Sequence, residues 1–213
     1  MRIFSVESPV MQFLTKVSMM MWLGIVWLVC SLGVVTIGAA TAALYRMMFN
    51  LRQDLKCSTK AFFAAFAENF KQATLVFLVR AGMAAVMLGG YFLCFLTDNE
   101  ILKGILLAVA LVVFLLWLIT GFYAYSLTCY FENTLLGTLK NALAMAIRHR
   151  RATMIGVVIS MLPVLVLWAS ELLFAISLIG WLVIYPGVAA YWISGGLQEV
   201  FDEYAPREPL PQD

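Results

Sequence analysis

Residues Val17–Leu44 read VSMMMWLGIVWLVCSLGVVTIGAATAAL, 28 residues without a charged side chain. A helix needs roughly 20 apolar residues to cross the hydrocarbon core of a bilayer. Gly33 and Gly38 mark points where such a helix can end or bend, so the first span is read as about 17–38. Four further apolar stretches follow, at about 73–96, 103–127, 153–170 and 173–195. Pro163 and Pro186 fall inside the last two, and packed membrane helices accommodate such residues.

Composition agrees with this count. Hydrophobic residues make up 63% of the chain and charged residues 12%, against roughly 25% charged in soluble domains. Too few polar side chains remain to cover a water-facing surface. The chain is therefore expected to be all-α: a polytopic transmembrane helical bundle of about five spans, with amphipathic helices in its two cytoplasmic connections. One membrane domain is expected over 1–205, followed by a disordered cytoplasmic tail at 206–213. A net charge of +2 gives no case for nucleic-acid binding, and one histidine cannot build a histidine-rich metal site. Cys30, Cys57, Cys94 and Cys129 are widely spaced and read as small buried hydrophobes. No cofactor is expected.

Orientation follows from the basic residues. Arg46, Arg52, Lys56, Lys60 and Lys71 lie between the first two spans, and Lys140, Arg148, Arg150 and Arg151 between the third and fourth. The other two turns carry Asp98 and Glu100, and Glu171. Five crossings then place the N-terminus outside and the C-terminus inside a cell membrane. Arg2 and Lys16 mildly oppose export of that N-terminus. A cleaved signal peptide fits poorly, because the apolar stretch is long and starts late.

Two residues stand out at membrane depth. Arg80 lies about two turns inside the second span. Its long stem can snorkel to the interface, or it can pair with a buried carboxylate. Glu171 reads as an interfacial turn residue, and as an intramembrane carboxylate if the last two helices are offset.

Both inner connections are helical in pattern. Ser58 or Thr59 can cap the first, in which Phe62, Phe63, Phe66 and Phe70 recur among Lys60, Glu68 and Lys71. Such a helix can lie at the membrane surface, or dock a partner through Phe62, Phe66, Phe70 and Lys71. Asn133 or Thr134 can cap the second, which carries Asn141 where the first carries Asn69 and hints at an internal repeat. The Arg148–Arg151 cluster serves as an orientation signal, or attracts anionic headgroups.

Three patches in order carry a family resemblance: WLVCSLGVVTIGAATAALY (Trp27–Tyr45), with its Thr36-Ile37-Gly38 core, FFAAFAENFKQAT (Phe62–Thr74), and LKNALAMAI (Leu139–Ile147). Together they resemble the YesL family, domain of unknown function 624. Gly33 and Ala39 stand where that family usually has prolines, so the end of the first helix is less rigid here. The motif positions are Thr36, Gly38, Asn69 and Asn141. The resemblance implies a bacterial membrane protein, often of five spans, encoded near carbohydrate transport and degradation genes. It carries no catalytic residues with it.

Three functions are open at this point. The first is an accessory or regulatory component of carbohydrate uptake, touching a sugar ABC transporter permease or another membrane protein. The second is a small transporter or channel, built as a homo-oligomer, with Arg80, Glu132 and Glu171 as polar candidates and small residues allowing close helix contact. The third, an intramembrane enzyme, lacks an HExxH or GxSxG motif. Membrane lipid is the one partner that all three share.

Overall fold

A computed structural model describes residues 9–204. Along the chain come α1 (Pro9–Ser31), a 3-10 turn (Val34–Thr36), α2 (Ile37–Arg52), α3 (Thr59–Leu96), α4 (Glu100–Tyr130), α5 (Leu135–Arg148), α6 (Arg150–Ala169), α7 (Glu171–Ile176), a π-helical segment (Gly180–Ile184) and α8 (Tyr185–Tyr204). The described residues contain no strand, so the fold is the all-α bundle the sequence predicts. The predicted tail at 206–213 lies outside the described residues.

The opening apolar stretch is two helices. After Ser31 the chain leaves the helix, and the Thr36 hydroxyl donates to the carbonyls of Cys30 and Gly33. The Cys30 carbonyl is one that a helix C-terminus leaves without an intrahelical partner. Ile37 and Gly38 then begin α2, so the predicted span 17–38 is corrected to a span ending at Ser31 plus the start of a second helix. α2 runs back along α1. Trp27 Nε1 donates to Thr41 Oγ1 at 3.1 Å, and Lys16 Nζ meets Asp54 at 2.7 Å. Most of α2 from Gly38 to Leu51 is buried against α1, α3, α4 and α8.

α3 holds 38 residues in one run, about 57 Å at 1.5 Å per residue. The separate surface helix predicted near Phe62–Phe70 is therefore the first part of α3, and the predicted span 73–96 is the rest. Ser58 caps it, its hydroxyl accepting from the Ala61 N–H. α4, with 31 residues, returns about 46 Å and is capped by the Asn99 side chain on the N–H groups of Ile101 and Leu102. α5 is a separate helix as predicted, with Thr134 accepting from the Gly137 N–H. The predicted span 173–195 is divided among α7, the π-helical segment and α8, and helix continues to Tyr204. The irregularity precedes Pro186, which has no N–H to give a regular ladder.

Among the described residues, five helices are long and apolar enough to cross a membrane: Val10–Ser31, Val34–Arg52, Thr59–Leu96, Glu100–Tyr130 and Arg150–Ala169. The number matches the expectation but the membership does not: 34–52 is added, and the broken path through α7, the π-helical segment and α8, which still returns the chain, is not among the five. The inserted return helix also changes where the chain ends lie. Lys16 meets Asp54, Tyr130 bonds Asp202 at 2.7 Å, and His149 lies 3.2 Å from the Tyr204 hydroxyl. The described start of α1 and the end of α8 thus share one end of the bundle, in place of the opposite ends expected from five crossings.

Burial is lopsided. The core is built from Met20 and Leu23 of α1, α2, the α3 residues up to Val76, the α4 residues from Phe122 onward, the inner face of α5 and the later part of α8. Phe49, Tyr130 and Phe201 form an aromatic cluster at its centre, with ring centroids 5.0–5.9 Å apart. Beyond Val76 no α3 residue is buried, and α6 buries only Gly156. Water drives apolar side chains together at the basic end, while a lipid surround leaves the far end no such force. Glycine permits the closest helix contacts. A side chain at Gly38 would meet the Ala73 carbonyl oxygen at 2.3 Å, and one at Gly187 would meet the Met20 carbonyl oxygen at 2.1 Å.

Candidate functional site: the Arg80 cleft

Arg80 projects from α3 toward α4. Its Nη1 donates to the Trp117 carbonyl and lies 3.4 Å from Thr120 Oγ1. The guanidinium carbon stands 4.3 Å from the Trp117 ring centroid and 5.7 Å from that of Tyr125. Gly121 makes room for it, since a side chain there would come within 2.7 Å of Nη1. Trp117, Gly121 and Tyr125 sit at four-residue spacing on one face of α4. That pattern, two aromatics around a small residue, is the signal that could have located Arg80's surroundings from sequence.

Arg80 borders a cleft of about 450 Å³ among α2, α3, α4 and α6, whose walls include Thr41, Tyr45, Tyr125 and Ser160. The lining is otherwise mostly apolar. Among the described residues no carboxylate pairs with Arg80, so the ion pair weighed from sequence is not formed. Aromatic faces and a carbonyl oxygen hold the guanidinium instead, and its formal charge stays unneutralised. Glu171, the other intramembrane candidate, is exposed at the first position of α7, where Ser170 caps the helix through the Leu173 N–H. It does not line the cleft.

The remaining predicted residues scatter. Phe62 is fully buried in the core, Phe66 packs against that core, and Phe70 and Lys71 are exposed. The expected contact stripe Phe62–Phe66–Phe70 is therefore no continuous surface, because the side of α3 carrying Phe62 faces inward. Phe63 is the more exposed ring. Thr36 ends α1, and Gly38 allows α2 to meet α3. Asn69 is buried, with Nδ2 donating to the Ala65 carbonyl at 2.8 Å. It borders a polar cavity of about 640 Å³ with Arg46, Glu68, Gln72, Glu132 and Asn133. Asn141 is exposed on α5, beside a different cavity that includes Arg148 and Tyr204. The two asparagines of the suggested repeat thus have unlike surroundings, and α3 is continuous where the second half breaks at His149.

Two arginines that read as loop charges bind inside the bundle. Arg46 Nη1 donates to the Cys129 carbonyl at 2.9 Å, near the C-terminus of α4, where a cation also suits the helix dipole. Arg52 donates to the Tyr191 carbonyl through Nε and Nη2, at 2.9 and 2.6 Å, and lies over the Tyr191 ring at 4.1 Å.

Cys57 lies in the turn between α2 and α3, its Sγ 3.3 Å from the Met47 carbonyl oxygen. Burial pushes its thiol up to about 11. Alkylation needs the thiolate, so at pH 8 the reactive fraction falls by about two orders of magnitude relative to a free cysteine of pKa about 8.5. In a variant retaining only Cys57, iodoacetamide labelling is expected to be slow at pH 8, to rise about tenfold per pH unit toward 11, and to become fast on denaturation. A native rate equal to that of free cysteine at pH 8 would contradict this account.

Residues 20–91, from within α1 to Tyr91 of α3, match the family model described as "Protein of unknown function, DUF624". Neither a curated protein nor a solved structure is similar to the chain.

Proposed function

We propose that the chain, whose residues 20–91 match the DUF624 family model, is an accessory or regulatory component of a bacterial cell membrane, associated with carbohydrate uptake. In this reading it docks onto another membrane protein, such as a sugar ABC transporter permease, through the far part of the α3–α4 hairpin. The sequence resemblance supports the carbohydrate setting. The observation that supports docking is a contrast among glycines. Gly24, Gly38 and Gly187 each have backbone of a neighbouring helix within about 2.5 Å of where a side chain would start. Gly82, Gly89 and Gly104 have nothing within 4 Å.

On α3, Gly82, Ala85 and Gly89 recur at three- and four-residue spacing and are all exposed. In lipid, small residues so spaced let another helix approach closely. Among the described residues no helix packs on that face, so its occupant is assigned to a partner. The transporter reading has one observation in its favour, the cation-bearing cleft between helices.

A photoreactive residue at Ala85, in native membranes, tests the docking. A discrete adduct with one different membrane protein is expected, reduced about tenfold or more by Gly89→Leu, as for a loss of 1.4 kcal/mol. Adducts with lipid alone would sink the reading, and adducts with a second copy would replace it with a homo-oligomer.

A further inference from the structure

We infer that the Arg80 cleft is a binding site for an amphiphilic oxyanion, a phosphate or carboxylate carried on an apolar body. Three features converge on this chemistry. The first is charge. A guanidinium at lipid depth is costly unless neutralised or hydrated, and among the described residues no acid pairs with Arg80. Its protein partners are a carbonyl oxygen, the hydroxyls of Thr120 and Tyr125 and two ring faces, none of which carries a formal negative charge. Nη1 makes the bonds to Trp117 and Thr120, and Tyr125 takes one more, so of the five N–H donors of the planar fork some remain to meet an oxyanion.

The second feature is shape. The cleft holds about 450 Å³, within the usual range for small-molecule sites. It is lined largely by apolar side chains, with hydroxyl-bearing Tyr45, Tyr125, Thr41 and Ser160 the polar exceptions. A small inorganic anion would leave most of that lining empty, whereas an acyl or similar apolar tail fills it.

The third feature is preorganisation. Trp117 and Tyr125 flank the guanidinium, Gly121 leaves the gap it occupies, and Arg80 is held before any ligand arrives. A merely snorkelling arginine needs no such seat on a neighbouring helix.

Two sources supply this chemistry, an acidic membrane lipid and a free anionic amphiphile. Native mass spectrometry of the purified full chain separates them, with phosphatidylglycerol, oleate and neutral phosphatidylcholine as probes. The expected result is one tightly held phosphatidylglycerol or oleate that phosphatidylcholine does not match. Retention of phosphatidylglycerol identifies a lipid headgroup as the source, and retention of oleate alone identifies a free amphiphile. Arg80→Met is expected to weaken that binding at least about tenfold, or 1.4 kcal/mol. Arg80→Lys retains part of it, through charge without the fork. Gly121→Val is the second variant. It keeps the charge but displaces the guanidinium, and is expected to weaken the same probe, so the test survives if Arg80→Met fails to fold. Equal retention of all three probes by the native chain, or unchanged anion retention in both Arg80→Met and Gly121→Val, overturns the inference.

Discussion

Gly187→Val is expected to open the seam between α1 and α8 and to destabilise the bundle by about 3 kcal/mol, the upper range for overpacking. The first atom of any side chain there would fall 2.1 Å from the Met20 carbonyl oxygen and 2.9 Å from its carbonyl carbon. Backbone cannot rotate aside as a flexible side chain would, so the two helices must separate. The contact is reciprocal, since a side chain at Gly24 would meet the Val183 carbonyl oxygen at 2.5 Å. Separation also loosens the bonds of Arg52 to Tyr191 and Ser194, about one and two turns further along α8. Thermal unfolding of detergent-purified protein should show a clearly lower midpoint for Gly187→Val. Gly180→Val, at a glycine with nothing within 4 Å, serves as the control and should differ little. Equal midpoints for Gly187→Val and the native chain would show that the seam does not hold the fold.

Both chain ends are expected on the cytoplasmic side, an all-or-none effect in a reporter assay. The argument combines geometry with charge. α1 and α2 are antiparallel, joined at their basic end by the contact of Lys16 with Asp54. Arg52, Lys56 and Lys60 gather around the turn that follows α2, and short loops rich in such residues stay inside. The start of α1 lies beside that turn, so it stays inside with it. Lys16, which argues against export of the N-terminus, then falls on the favoured side. Fluorescent-protein fusions at either end should fluoresce in the cytoplasm, and alkaline phosphatase inserted after Asp98 should be active outside. An exported, active phosphatase at the N-terminus would reject the α1–α2 hairpin as the membrane-inserted form.

The membrane class and most helices are legible in the sequence because lipid imposes long charge-free runs, and α4 and α6 are little more than such runs. α2 is not legible in the same way. Arg46, Asn50 and Arg52 make its second half look like a solvated loop, yet the Cys129 and Tyr191 carbonyls satisfy the two arginines inside the bundle. Hydropathy counts a charge without knowing whether a partner waits for it. The break at Leu32–Thr36 is similarly faint, because a glycine and a threonine in an apolar run are common in unbroken helices, and only the capping bonds of Thr36 show the stop. Arg80 is visible as an anomaly, but its aromatic seat lies 37 residues away on another helix. The caps at Ser58, Asn99 and Thr134 follow local rules. Local chemistry therefore reads well here, and pairing between distant helices does not.

The α1–α8 seam has a consequence for biogenesis. Met20 and Gly187 stand 167 residues apart (187 − 20), so α1 must wait for α8 before its packed face is covered. Until then α1 and α2 form a hairpin with that face bare, held by its own Trp27–Thr41 and Lys16–Asp54 contacts. Loop closure over such a sequence distance comes late in folding, and domains with exposed intermediates are the ones vulnerable to misassembly and proteolysis. A product truncated before α8 keeps the α1 side of that seam open and is expected to be degraded faster than the full chain.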